Sequence, residues 1–151
     1  GTFGLAPGAA TLEIQLTQTD GTTETTLDTE SVAVTLVAAT PWIAQSTIQP
    51  SIALGTNVQI AVIVTNTTTI DYPNSAVVVN VIQGGVSTQV ASGTPGCGGS
   101  GVISSGDCIV GITFTLGSGF SPGAAKVELR LTTNGGATLL DVKQYDVTLT
   151  P

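Results

Sequence analysis

Ten residues, Asn57 to Asn66 (NVQIAVIVTN), constrain this chain more than any other stretch. Val58, Ile60, Val62 and Val64 occupy alternate positions, with Gln59, Ala61, Ile63 and Thr65 between them. Successive side chains of a strand point to opposite faces, so one face is wholly β-branched and the other small or mixed. Such a segment is a central strand with a buried face, and the rest of the chain must supply its partners.

Those partners are legible in order. Ahead of it, Leu12, Ile14 and Leu16 alternate with Glu13, Gln15 and Thr17 from Thr11 to Thr19, which predicts a strand with one apolar face. Residues 1–10 are small, with Phe3 and Leu5 as the large side chains. Asp20-Gly21 signals a turn, and the Thr-rich TTETTLDTE after it reads as an edge strand or an exposed loop. Ser31 to Val37 is a further strand, with Val32, Val34 and Leu36 on one face. Thr40-Pro41-Trp42 breaks the pattern, and the chain reads as irregular to Gly55, with Pro50 fixing an extended turn. The one tryptophan, Trp42, is expected to plug an end of the core, with a ligand-stacking platform as the alternative.

Beyond the central strand, TTTIDYPN is rich in turn formers. Ser75 to Gln83 is a strand with Val77, Val79 and Val81 on one face, and Gly84-Gly85 returns it into Val86 to Ser92. A Gly-rich excursion from Gly93 to Asp107 precedes Cys108 to Leu116, where Val110, Ile112, Phe114 and Leu116 point one way. From Ala125 to Thr132, Val127, Leu129 and Leu131 face in while Lys126, Glu128 and Arg130 face out. Asn134-Gly135-Gly136 turns into a final strand with Tyr145, Val147 and Leu149 opposite Gln144, Asp146 and Thr148. Roughly eight or nine strands separated by Gly, Asn and Pro turns, with no helical period, predict an all-β antiparallel immunoglobulin-like sandwich with an extended N-terminal strand. Residues 1–20 form an arm and 21–151 the sandwich.

From Gly55 to Leu149, the sequence of motifs resembles the immunoglobulin-like, CARDB-type modules of secreted and cell-surface proteins, which are common in archaea. The motifs are a Gly before V-x-I-x-V-x-V-x-N, then V-V-V-x-V, a Gly turn, Gly-Asp-Cys before I-x-F-x-L, Pro-Gly, and V-x-L-x-L-x-T. The resemblance covers about two thirds of the chain and brings no binding or catalytic residues with it. The whole chain, an alternating N-terminal arm ahead of a Thr-rich and Lys-poor sandwich, is similar to pilins that polymerise by donor-strand complementation, such as the thread and bundling pili of thermophilic archaea. That similarity implies a homopolymer.

Composition narrows the chemistry. Only 9% of the 151 residues are charged, and ten acids against three bases give a net charge of −7. Three scattered cations (Lys126, Arg130 and Lys143) cannot neutralise a phosphate backbone or dock on an anionic bilayer, and no apolar run is long enough to span one. Histidine is absent, which removes the usual general base, triad member and metal ligand, so no catalytic residues and no cofactor are expected. The acid pairs Asp28/Glu30 and Asp141/Asp146 read as solvated strand faces or turns, since nothing indicates a cleft between carboxyls. Asp20, Asp28, Glu30 and Asp71 lack calcium-loop spacing, so no metal site is expected. Lys126 and Lys143 read as surface lysines rather than isopeptide donors.

Cys97 and Cys108 bracket the Gly-rich loop, and their spacing is not that of a redox C-x-x-C pair. A structural disulfide, contributing roughly 2–3 kcal/mol, fits an exported, extracellular or cell-surface protein. The lack of methionine before Gly1 suggests a removed signal peptide or prepilin leader, or the boundary of a fragment. Asn66-Thr67-Thr68 is an N-glycosylation sequon, or a chance match in a Thr-rich chain, so glycans join the possible partners.

The consequential choice is Leu12, Ile14 and Leu16. They are either the first strand of their own sandwich or a donor strand that completes a neighbour's sheet by main-chain hydrogen bonds. Repeated head to tail, such a contact gives a filament. The expected function is a non-catalytic structural subunit of an extracellular filament or surface layer. The alternative is an adhesion or carbohydrate-binding module using Trp42, Tyr72 and Phe120.

Overall fold

The computed structural model describes residues 8–36 and 40–151, which divide into two compact units at Ala39/Thr40. Phe3, Leu5, Val37 and the side chain of Leu36, all named above, lie outside the described residues.

The first unit is a two-stranded antiparallel ribbon, β1 (Gly8–Asp20) and β2 (Thr23–Leu36), paired from Gly8↔Leu36 to Asp20↔Thr23. Asp20-Gly21 turns the chain as expected, with Gly21 at φ 65° and the Thr22 N–H donating to the Asp20 carbonyl at 2.7 Å. From sequence the arm ends at residue 20. In the structure the ribbon continues through residue 36, because TTETTLDTE and SVAVTL form one strand that pairs along the whole of β1. A bulge between Leu16 and Thr17 interrupts the register and disguises that continuity.

The second unit is an all-β antiparallel immunoglobulin-like sandwich. Its strands are β3 (Trp42–Ser46), β4 (Ser51–Ala53), β5 (Asn57–Asn66), β6 (Ala76–Gln83), β7 (Val86–Gly93), β8 (Gly106–Thr115), β9 (Gly123–Thr133) and β10 (Thr138–Thr150). One sheet has the order β4-β10-β9-β6-β7 and the other β3-β5-β8. All pairs are antiparallel except β4 with β10. The 42–55 segment holds two short edge strands rather than irregular chain; five and three residues are too few to show a period.

The core is the set of alternating residues read from the sequence. Ile60, Val62 and Val64 of β5 and Val110, Ile112 and Phe114 of β8 face Val77, Val79 and Val81 of β6 and Val127, Leu129 and Leu131 of β9, all buried. Stacked sheets sit about 10 Å apart, a gap that β-branched side chains fill with little rotamer entropy to lose. Gly84 and Gly85, at φ 59° and 83°, make the left-handed two-residue turn that joins β6 to β7. Gly93 closes the other end of β7: a Cβ there would lie 2.6 Å from Ile112 Cγ1 and 2.8 Å from Val110 Cγ1.

The strand registers give this unit two ends. Thr40, the 66–75 loop, the 94–105 loop and the Asn134–Gly136 turn lie at one, and the Gly84-Gly85 turn, the 116–122 loop and Pro151 at the other. Trp42 does not plug the core. It pairs with Thr65, outside the buried set, and is 37% exposed. Ile103, fully buried, closes that end instead, held by reciprocal main-chain bonds with Tyr72 at 3.0 and 3.1 Å.

Leu129→Ala, at a fully buried position of β9 between β6 and β10, is expected to lower unfolding free energy by about 2–5 kcal/mol. Urea denaturation followed by circular dichroism measures it.

Candidate functional site

Directly opposed residues of an antiparallel pair share a face. On the β1–β2 ribbon, the pairs Ala10/Val34, Leu12/Val32, Ile14/Glu30 and Leu16/Asp28 therefore line one side, and Thr11/Ala33, Glu13/Ser31 and Gln15/Thr29 the other. The second side is polar, with Gln15 hydrogen-bonded to Glu13. The first is apolar in its middle and open to solvent: Leu12 is 52% exposed, Ile14 54%, Leu16 60% and Val32 41%. The three β1 residues were marked from sequence. Val32, and the acids Glu30 and Asp28 that flank the patch, enter only through the register of β2. The turn at Asp20-Gly21 was the signal that could have joined them.

Among the described residues the ribbon has no buried side chain, and β1 and β2 form a two-stranded sheet of their own. Glu13, Asp20, Glu24, Asp28 and Glu30 are acidic, and no Lys or Arg falls before residue 40. The face is thus an unpaired apolar strip on an anionic ribbon.

The remaining candidates resolve into structural roles. Cys97 and Cys108 form a disulfide with Cα atoms 5.4 Å apart, and the described residues contain no free cysteine. Cys108 is buried at the start of β8, so the bond ties the Gly-rich loop to a core strand.

Asn66 is 1% exposed. Its Nδ2 donates to the Ile70 carbonyl at 2.9 Å, and its Oδ1 accepts the Thr68 N–H at 2.9 Å and the Thr68 hydroxyl at 2.8 Å. The amide therefore organises the 66–70 turn, and a glycan on Nδ2 is incompatible with this packing. The sequon pattern is built from the same Asn and Thr that close the turn.

Asp141 and Asp146 do not act as a pair. Asp141 Oδ2 accepts the Ile43 N–H at 2.9 Å and so links β10 of one sheet to β3 of the other, while Asp146 meets Lys126 at 2.7 Å in an exposed ion pair. Asp28 and Glu30 are solvated on the ribbon. Among the described residues, no three acids, cysteines or histidines gather around a point. Tyr72 and Phe120 are partly buried against the core at opposite ends of the sandwich, so the three aromatics Trp42, Tyr72 and Phe120 do not form one platform.

Glu128 departs from its expected exposure. It lies on the outward side of β9 yet is only 9% exposed. Its cross-strand neighbours Gln144 and Asn80 donate to it at 2.7 and 3.2 Å, and Arg130 stands 3.7 Å away. The Gln144 hydrogen bond, with those of Asn80 and the charge of Arg130, outweighs desolvation and holds the carboxyl below its ordinary range.

No family model matches the chain, and no curated protein does. Among solved structures, the chain is similar to AvmM, which catalyzes macrocyclization in alchivemycin A biosynthesis (TM-score 0.49, 10% identity, covering 71% of this chain and 87% of that one). It is also similar to the CARDB domain of PF1109 from Pyrococcus furiosus, solved in complex with di-metal ions (TM-score 0.45, 14% identity, 73% and 90%). Murine CRIg is a further match (TM-score 0.34, 14% identity, 74% and 97%). The class is an immunoglobulin-like β-sandwich, an assignment that rests on the strand order and pairing described above.

Three outcomes follow from this geometry. Replacing both cysteines by Ser is expected to lower unfolding free energy by roughly 2–3 kcal/mol, measured by denaturant titration. Asn66→Ala leaves the Thr68 N–H unpaired and the Ile70 carbonyl with only the 3.5 Å bond from the Thr68 hydroxyl, and is expected to cost about 1–3 kcal/mol by the same assay. A depressed folded-state carboxyl stabilises above its unfolded pKa and loses that contribution as pH falls through the folded one. Thermal unfolding of wild type should therefore fall more steeply than that of Glu128→Gln as pH drops below 4.5, the ordinary Glu value.

Proposed function

We propose that this chain is a non-catalytic structural subunit that assembles outside the cell, head to tail, into a filament through its N-terminal ribbon. The observation that carries the reading is the exposed Leu12, Ile14, Leu16 and Val32 strip. An isolated two-stranded ribbon is at best marginally stable in water, and a continuous apolar face on one marks a surface that another chain covers. The sandwich unit has its own closed core. A head-to-tail contact whose rotation does not close extends into a filament.

A disulfide favours an oxidising compartment, and none of the described helices is long and apolar enough to cross a membrane. Uncharged polar faces rich in Thr, Ser and Asn suit a surface exposed to the medium. A second reading, an adhesion or glycan-binding surface module, rests on Trp42, which is exposed on β3.

Electron microscopy of the intact protein beside Ile14→Asp/Leu16→Asp tests the reading. Thin filaments are expected from the parent protein and none from the variant, with the sandwich unfolding at the same temperature in both. Discrete monomers of the parent protein at all concentrations overturn it.

A further inference from the structure

Resting on the filament reading, we propose that the donated element is the whole β1–β2 ribbon, and that a second copy of this chain receives it along the free edge of β8, apolar side toward β7. The sandwich has four edge strands, and β4 leaves most of β10 uncovered as a further edge. That stretch is bulged between Leu139 and Asp141 and carries Asp141, Lys143 and Asp146. Three of the four edge strands are defended as well. The β3 edge is five residues long, bulged between Ile43 and Gln45, and follows Pro41. The β4 edge is three residues long and follows Pro50. The β7 edge is bulged where it pairs with Val79 and Asn80. Short length, bulges, Pro and charge are the means by which sheet edges avoid unwanted pairing.

β8 has a single charge at its start and no other such feature. It runs ten residues in unbroken register with β5 and contains no Pro, Lys or Arg. Its one charge, Asp107, sits at its first turn of register and accepts the Thr65 hydroxyl at 2.7 Å. On its outward side Ile109 is 71% exposed. A row of main-chain donors and acceptors is therefore open to another strand.

The two sheets are also unequal, five strands over three, and β7 overhangs beside β8. Val86 and Thr88 pair with Gln83 and Val81 on the core-facing side of their sheet, yet both are exposed, Val86 at 66%. Two more strands next to β8 would cover them. With β1 against β8, the ribbon supplies an apolar row of Leu12, Ile14 and Leu16 with Val32, and leaves Glu30 and Asp28 of β2 on the outer strand.

The area of the ribbon's face can be set against what a specific interface needs. A strand of 13 residues at about 3.3 Å per residue, two strands wide, offers a face of about 400 Å², or about 800 Å² over both partners. The strand-to-strand seam adds to this and brings it toward the roughly 1,200 Å² at which specific interfaces begin. Leu12, Ile14 and Leu16 are more than half exposed, and the proposal assigns their cover to another copy.

The test places a photo-cross-linking amino acid at Ile109, and separately at Gln45 on β3, in filaments grown from an equal mixture of heavy- and light-isotope chains. The expected result is a mixed-isotope cross-link joining residues 106–115 to residues 8–36 from the Ile109 probe, and none to residues 8–36 from Gln45. Filaments whose ribbon cross-links arise from Gln45 instead overturn the β8 assignment while leaving the filament reading intact. Same-isotope cross-links alone return the ribbon to its own sandwich and overturn the proposal. Absence of filaments from the unsubstituted protein removes the reading on which it rests.

Discussion

The packing of two β-branched faces across the gap between the sheets is the interaction on which the rest of this structure depends. β5 and β9 are the middle strands of that contact. Val62 and Val64 on one side and Val127, Leu129 and Leu131 on the other are fully buried. Loops, disulfide and polar ladders are placed by it. The Gly-rich loop can be long because Ile103 inserts into the same core and Cys108 anchors it. The Glu128 cluster can exist on the outward side because the inward residues on either side of it, Val127 and Leu129, fix β9 between β6 and β10 and bring Asn80 and Gln144 opposite. Sheet geometry thus assembles a polar row that no local sequence pattern specifies.

What alternates in sequence was legible, and what depends on pairing was not. β5 has the limits its alternation predicts, Asn57 to Asn66, and the buried sides of β6, β8 and β9 are the ones their valines and leucines indicate. A strand with one face in a core announces itself because burial selects every second residue. β2 has no such face: its side chains are polar and β-branched in turn, and its bulge shifts the phase, so half of it resembled a loop. β3 and β4 are too short to show any phase at all. The sequon at Asn66 and the single Trp illustrate a different limit. Residue type suggested a modification and a core plug, but exposure, which sequence does not state, assigned Asn66 to the interior and Trp42 to the surface.

The ribbon and the sandwich embody opposite solutions to the same physics. In the sandwich, the inner faces of the two sheets bury one another, and the acids are paired or solvated. The ribbon keeps an apolar face without a counterpart, and its acids crowd together without a base. Net negative charge keeps such a surface soluble as a single chain, since like-charged ribbons repel one another more readily than they stack. That repulsion would steer each ribbon away from other ribbons and toward a neutral surface.

The parallel pairing of β4 with β10 has a mechanical side. β10 carries the chain out at Pro151, and Thr148 to Thr150 lie against Ser51 to Ala53 close to that exit. A pull between residue 40 and residue 151 would run along the strands, and this seam would be loaded in shear. Bonds in shear yield together rather than one after another, as they would in a hairpin peeled from its open end. A short patch of three register pairs would then act as a brake on extension, and the disulfide-tied loop behind it would stay folded until that brake slipped.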